Sequence, residues 1–230
     1  MKKLFRILLA LMLFISCSDS NREENLSTNG KLSGIGKITF TDYAPMASKP
    51  IDLYYYIPSN CSATTPILMV LHGADRNALD YRNGWEAYAE KAGWIVIAPE
   101  FSEKYFPGGD GYNLGNIFAD GDNPSAANLN PENQWLFSVL DPIFQFVKNK
   151  SGSQVETYNL YGHSAGAQVV QKFLMLPSSQ HVNKAIAASA GWYTDPVKDI
   201  KFPYGLAQSP FANLDLSKKK KKDFKIMVGG

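Results

Sequence analysis

The residues most able to do chemistry lie together in Thr157-Tyr-Asn-Leu-Tyr-Gly-His-Ser-Ala-Gly-Ala-Gln-Val-Val170. A run fit for a buried strand enters Gly162-His163-Ser164-Ala165-Gly166, and a helix-like segment follows at once. That order fits a nucleophile elbow, in which a strand turns sharply into a helix and carries a serine hydroxyl at the tip. The two glycines have a steric reason, since a side chain at either place would strike the neighbouring strand or helix. Five residues alone are a weak signal; the flanking strand and helix strengthen it. Ser164 is therefore the predicted nucleophile, and the chemistry it suits is acyl transfer. Such a reaction needs N–H donors aimed at the developing oxyanion. Ala165 follows the serine and offers one backbone N–H. The loop after Ile67–Leu71 reads His72-Gly73-Ala74-Asp75-Arg76, where Gly73 lets the backbone approach and Ala74 offers the second.

A serine hydroxyl also needs a base, and the base an orienting acid. None of the three histidines suits that task. His72 belongs to the loop just described and reads as structural. His163 precedes the serine, so its side chain leaves the turn in another direction. His181 follows the elbow helix and reads as an exposed loop residue at the far end of the sheet. Asp195 follows the apolar segment 185–190, at an edge where catalytic residues collect in open sheets; it is a possible acid or a turn former in Thr194-Asp195-Pro196. Trp192 and Tyr193 line the substrate pocket or pack as core aromatics. The glycines of 108–116 lack the Lys-Ser/Thr ending of a phosphate loop. Asp120-Gly-Asp-Asn-Pro lacks the spacing and closing Glu of a calcium loop. The chemistry calls for no metal or organic cofactor.

The elements that must position these residues alternate in type. Residues 34–41 and 51–57 read as two antiparallel strands, and 67–71, 94–98, 158–161, 185–190 and 224–228 as short buried ones. Residues 85–92 form a helix ended by Gly93. Asn130-Pro131 opens a long helix to about Lys148, with a kink or break at Pro142. The helix after Ser164 runs to Leu176 and stops at Pro177. Strands alternating with helices predict an α/β fold: a mostly parallel sheet with helices on both faces. No internal repeat interrupts it. The long excursion between strand 94–98 and the next helix is placed to wall a binding site. Lys218 to Lys222 reads as a solvated loop.

The chain of 230 residues opens on Met1-Lys-Lys-Leu-Phe-Arg6 and an apolar run from Ile7 to Ile15. That is a signal-peptide pattern, too short to span a bilayer comfortably. Phe14-Ile15-Ser16-Cys17 resembles a bacterial lipobox, which implies cleavage after residue 16 and lipidation of Cys17. Residues 17–33 read as a flexible tether and 34–230 as the domain. Removing Lys2, Lys3 and Arg6 turns the formal charge of +2 negative, so no nucleic-acid partner is implied. Cys61 is then the one unlipidated cysteine and cannot form an internal disulfide.

Leu71-His-Gly-Ala-Asp-Arg76, Ala98-Pro-Glu-Phe101, Gly162-His-Ser-Ala-Gly166 and Ala190-Gly-Trp-Tyr193 together resemble the α/β-hydrolases. The likeness is to secreted esterases related to polyhydroxybutyrate depolymerases and feruloyl esterases. It implies an exported serine hydrolase, lipid-anchored to the bacterial cell envelope, acting on polymeric or polysaccharide-linked carboxylic esters. In that family the acid follows a strand after the nucleophile, and the histidine comes later. Here the matching strand is 224–228, so the resemblance predicts a domain cut short, with the final strand and helix, the acid and the histidine lying beyond residue 230. The 230-residue chain is then expected to hydrolyse esters weakly or not at all. Two other readings stand: a non-catalytic ligand-binding lipoprotein on the same scaffold, and a serine peptidase of the same fold.

Overall fold

The computed structural model describes residues 30–215 and 223–228. Seven strands form one sheet: β1 (Gly34–Phe40), β2 (Ile51–Ile57), β3 (Ile67–Leu71), β4 (Ile95–Glu100), β5 (Tyr158–His163), β6 (Val182–Ala188) and β7 (Asp223–Met227). Their order is β1-β2-β4-β3-β5-β6-β7. β1 pairs antiparallel with β2, and β2 antiparallel with β4; every other pairing is parallel. The helices are α1 (Ala78–Ala92), a single turn α2 (Gly108–Gly111), α3 (Phe137–Ser151) and α4 (Ala165–Leu174). None of the described helices is long and apolar enough to cross a membrane.

β3 shows why the sheet is covered on both sides. All five of its residues are buried, and successive side chains of a strand point to opposite faces. Leu68 and Val70 pack with Val96, Ala98 and the α1 residues Ala78 and Ala89. Ile67, Met69 and Leu71 face the larger cluster with Leu140 and Phe144 of α3 and Val170 and Phe173 of α4. Removing one such side chain costs about 2–5 kcal/mol, because the cavity collapses only in part. α1 ends where Gly93 takes a left-handed φ of 68°, the conformation a side chain resists.

Several sequence boundaries move: α1 begins at Ala78 rather than 85, and β6 spans Val182–Ala188 rather than 185–190. The helix expected from Asn130 begins at Phe137, after one 3-10 turn at Glu132–Gln134. Trp135 is extended with ψ 142° and separates the two. Asn130 caps neither, since Pro131 and Leu136 hold the cap positions; its amide donates to Asn116 O at 3.0 Å. Pro142 neither breaks nor divides α3; it sits early in the helix, where the hydrogen bond it forfeits is one near the amino end. The packed domain also takes in Leu32, which is buried and donates its N–H to Lys150 O at 2.9 Å. Residues 1–29 and 216–222, with Cys17 and the lysine run, lie outside the described residues.

On α4 a cation is buried whole. Lys172 is 0 % exposed, its Nζ lies 4.5 Å from the Trp192 ring centroid, and that nitrogen has no hydrogen-bond partner among the described residues. Burial pushes its ammonium down from 10.5 to about 7. In the unfolded chain Lys172 protonates first as pH falls below 10.5, so the folded state loses stability from there down to about 7. Lys172→Met removes that penalty at the loss of a cation–π contact. Chemical denaturation should show the variant more stable at pH 7 by roughly 1–4 kcal/mol, with the gap closing above pH 10. A variant less stable at both pH values would contradict it.

Candidate active site

β5 delivers the chain to a turn that glycine alone permits. A Cβ on Gly162 would overlap Gly166 O, and one on Gly166 would overlap Leu71 O and stand 2.6 Å from His72 O. With no side chain at either place, α4 starts directly against β5 and against the loop after β3. Ser164 absorbs the reversal with φ 53° and ψ −117°, a positive φ that costs a residue with a side chain about 1–3 kcal/mol. Its N–H donates to Ala188 O at 2.9 Å, and its carbonyl accepts from Ala167 N at 3.0 Å. Ser164 stays half-buried at the carboxyl edge of the parallel strands.

The loop His72–Arg76 closes over this turn. The Cβ position of Gly73 lies 3.6 Å from Ser164 Cβ. Ala74 is exposed, and its N–H has no acceptor among the described residues. Ala165 is the first residue of α4, so its N–H has no intrahelical partner either. The elbow thus sets Ser164 and Ala165 beside Gly73, the residue before Ala74.

Behind the loop stands a polar scaffold whose members come from distant parts of the chain. His72 is fully buried and stacks on Tyr112 at 4.6 Å. The Phe101 N–H donates to its Nε2 at 3.0 Å, so Nε2 is the acceptor nitrogen and Nδ1–H donates to Gly73 O at 2.8 Å. Tyr112 Oη donates to His72 O at 2.6 Å. Arg76, itself at φ 57°, donates to Phe101 O, Phe106 O and Gly108 O, pairs with Glu103 at 3.1 Å and covers the Tyr112 ring at 4.2 Å. One guanidinium therefore ties the loop after β3 to the excursion after β4.

The other candidates fall elsewhere. His163 is held by Tyr81, with Oη 2.8 Å from Nδ1. His181 lies at the opposite edge of the sheet, just before β6. It is not a free loop residue as expected: Nδ1 is 2.5 Å from Asp141 Oδ2, and Tyr158 Oη donates to Asp141 Oδ1 at 3.0 Å. Asp195 is exposed; its N–H donates to Tyr204 O at 2.8 Å, and its carboxylate has no partner among the described residues. Trp192 and Tyr193 are half-buried against the core. Gln168 donates to Trp192 O at 3.1 Å, Gln171 to Thr194 O at 2.6 Å, and Tyr193 Oη to Ala187 O at 3.2 Å. A cleft of about 680 Å³ opens between the excursion and the segment after β6, lined by Phe118, Pro124, Leu129 and Pro210 among others. Ser164 is not part of its wall. Among the described residues no cluster of His, Cys, Asp and Glu could hold a metal ion.

Burial lowers His72 from 6.5 to about 4, against the raising effect of its bond to Gly73. A base depressed in the folded state lets the unfolded chain protonate first, so stability falls as pH drops from 6.5 to 4. In an NMR titration the His72 imidazole should stay neutral to about pH 4, and the protein should lose roughly 3 kcal/mol across that window. A His72 midpoint near 6.5 would contradict the scaffold.

No family model matches the chain. In structure it is similar to poly(aspartic acid) hydrolase-1 from Sphingomonas sp. KT-1, with 40% identity and a TM-score of 0.76 over 86% of this chain and 72% of that one. It is also similar to LpqC, the poly(3-hydroxybutyrate) depolymerase of Bordetella parapertussis, with 29% identity and a TM-score of 0.75 over 86% of this chain and 66% of that one. Over 153 residues it is 28% identical to the bifunctional acetylxylan esterase/xylanase XynS20E of Neocallimastix patriciarum, a match spanning 65% of this chain and 19% of that protein. With its sheet and these relatives, the chain belongs to the α/β-hydrolase superfamily and is a hydrolase by descent.

Proposed function

We propose that this protein is an exported serine hydrolase of carboxylic esters. Ser164 Oγ attacks the ester carbonyl and gives up its proton to a base; the N–H groups of Ala74 and Ala165 receive the oxyanion. Collapse of that intermediate breaks the bond to the alcohol, which leaves with the proton, and water then releases the acid from the acyl-enzyme. The observation that carries the reading is the Ser164 turn at φ 53°, locked between the contacts of Gly162 and Gly166 and facing the Gly73–Ala74 loop. The base is none of the three histidines in this reading. His72 has both nitrogens bonded within the scaffold, His163 is turned to Tyr81, and His181 stands at the other edge.

Polymeric esters are the proposed substrates. Two relatives act by name on a polyester and on acetylated xylan. A second reading has its own observation: the relative at 40% identity is named for poly(aspartic acid), whose repeating link is an amide. The acid role of Asp195 and the pocket role of Trp192 and Tyr193 remain part of the proposal. So does anchoring through a lipidated Cys17.

Ser164→Ala should abolish covalent labelling by a fluorophosphonate and whatever cleavage of p-nitrophenyl acetate the wild-type protein shows, weak as that is expected to be without a histidine base. Equal rates and labelling in both proteins would overturn the serine mechanism, and a ligand-binding protein would take up no label at all. Faster cleavage of poly(aspartic acid) than of esters would favour the amide reading. For the anchor, Cys17→Ser should move the protein from the membrane fraction to the soluble fraction of the cell envelope. Unchanged fractionation would count against lipidation.

A further inference from the structure

The cleft between the excursion and the segment after β6 has a wall of one chemical kind, which attack by Ser164 does not use. Phe118, Leu129 and Pro210 give it apolar surface, and no residue of the wall carries a charge. The apolar lining is preformed. Phe118 meets Phe202 at 5.6 Å, and Phe202 stacks on Phe211 at 6.1 Å, so buried aromatics join the two sides. Asn128 braces the excursion, accepting from Ser125 N at 3.0 Å and donating to Asp120 O at 3.1 Å. On the other side Ser209 Oγ donates to Leu206 O at 2.7 Å. The volume of about 680 Å³ is that of a small-molecule site.

We propose that this cleft is a second binding site, which takes an uncharged oligoester chain. Gln208 and Asn213 in its wall are exposed, and neither side-chain amide has a hydrogen-bond partner among the described residues. Each amide therefore offers N–H donors, and ester carbonyls are acceptors without charge. The hydrocarbon between those carbonyls suits the apolar lining. Gln208 takes φ 59°, a conformation that costs a residue with a side chain about 1–3 kcal/mol. Glycine would make the same turn without that cost, but it would leave the cleft one amide short. Charge disposes against a polyanion. Residues 101–136 carry Glu103, Asp110, Asp120, Asp122 and Glu132 against Lys104 alone. Asp120 and Asp122 are exposed on the turn that leads into Pro124 of the wall. A polycarboxylate approaching the cleft meets like charge and finds no cation in the wall. The class of chain rests on the ester reading, whereas binding does not require Ser164 to react, because Ser164 lies outside this wall.

Binding is measured on the Ser164→Ala protein, which leaves the probe intact, with the methyl ester of a 3-hydroxybutyrate trimer. In NMR titrations the side-chain amides of Gln208 and Asn213 and the methyls of Leu129 should shift together and saturate. Gln208→Gly removes the amide and relieves the positive φ. That variant should fold as stably as its parent yet bind the trimer about 5-fold more weakly. Leu129→Lys, at an exposed position, should weaken the trimer about 10-fold. It should also let short poly(aspartic acid) shift the cleft signals, which that polymer leaves unmoved in the parent. Trimer shifts confined to residues around Ser164, an affinity unmoved by both substitutions, or poly(aspartic acid) shifting the parent's cleft signals would each overturn the site. Should a variant fail to fold, the signals of the parent decide. The hydrolase reading fails separately: if wild-type protein takes up no fluorophosphonate while the cleft signals still shift, the cleft binds its chain and Ser164 is no nucleophile.

Discussion

Two missing Cβ atoms set the geometry on which the rest of the molecule depends. Gly162 and Gly166 let α4 begin in backbone contact with β5 and with the carbonyls of Leu71 and His72. Alanine at either place would drive the helix outward and open the gap between Ser164 and the loop after β3. The turn that results is unfavourable for serine by itself, since its φ of 53° lies where side chains are crowded. Packing further along the same helix offsets that strain. Val169, Val170 and Phe173 are all fully buried beneath the sheet, each worth about 1.5–3 kcal/mol on burial. The strained residue is therefore held by an element that cannot move without exposing its apolar face.

Rigidity on the other side of Ser164 comes from polar groups rather than from apolar burial. The His72 ring is neutral because its surroundings are dry, and neutrality keeps Nε2 an acceptor for the Phe101 N–H. A protonated ring would lose that bond and place a charge beside Arg76. The Arg76 charge is spread over three backbone carbonyls and Glu103, so the loop and the excursion cannot shift independently. Gln168 extends the tie from α4: it accepts from Asn113 of the excursion at 2.8 Å and donates to Trp192 O after β6. The three loops at the carboxyl edge are cross-linked to one another before any substrate arrives. Donors fixed in this way need little reorganisation when charge develops, which is where electrostatic stabilisation is most effective.

The legible part of this architecture is the part written in local pattern. All seven strands were foreseeable within a few residues, because β3 is a continuous apolar run, β4 and β6 each contain one, and β2 is β-branched and aromatic. The elbow was legible because its glycines, its serine and the helix behind it are contiguous. The start of α3 was not: Asn130-Pro131 has the chemistry of a cap, yet Asn130 spends its amide on Asn116, a contact fixed by the folded excursion. The scaffold behind the loop was illegible for a similar reason. His72, Arg76, Phe101 and Tyr112 are separated by up to 40 positions, and nothing periodic links them. The burial of Lys172 is equally non-local, because the ring that covers it, Trp192, comes from the segment after β6.

Position in the sheet, rather than residue type, decides which polar pairs bear on Ser164. The His181–Asp141 pair has the composition and the 2.5 Å spacing of a catalytic dyad, and Tyr158 completes a connected network. Yet register places Tyr158 opposite Val182, so His181 stands at the amino edge of β5 and β6. Ser164 lies six residues further along, roughly 20 Å at a strand's rise of about 3.3 Å per residue. No rotamer spans that distance. The Tyr81–His163 pair looks less like a dyad by composition, since it contains no carboxylate. It nonetheless adjoins the serine, because α1 packs on the face of β5 from which His163 projects. In a parallel sheet the strand direction separates a face for packing from an edge for chemistry, and a polar pair contributes to the reaction only if the register carries it to that edge.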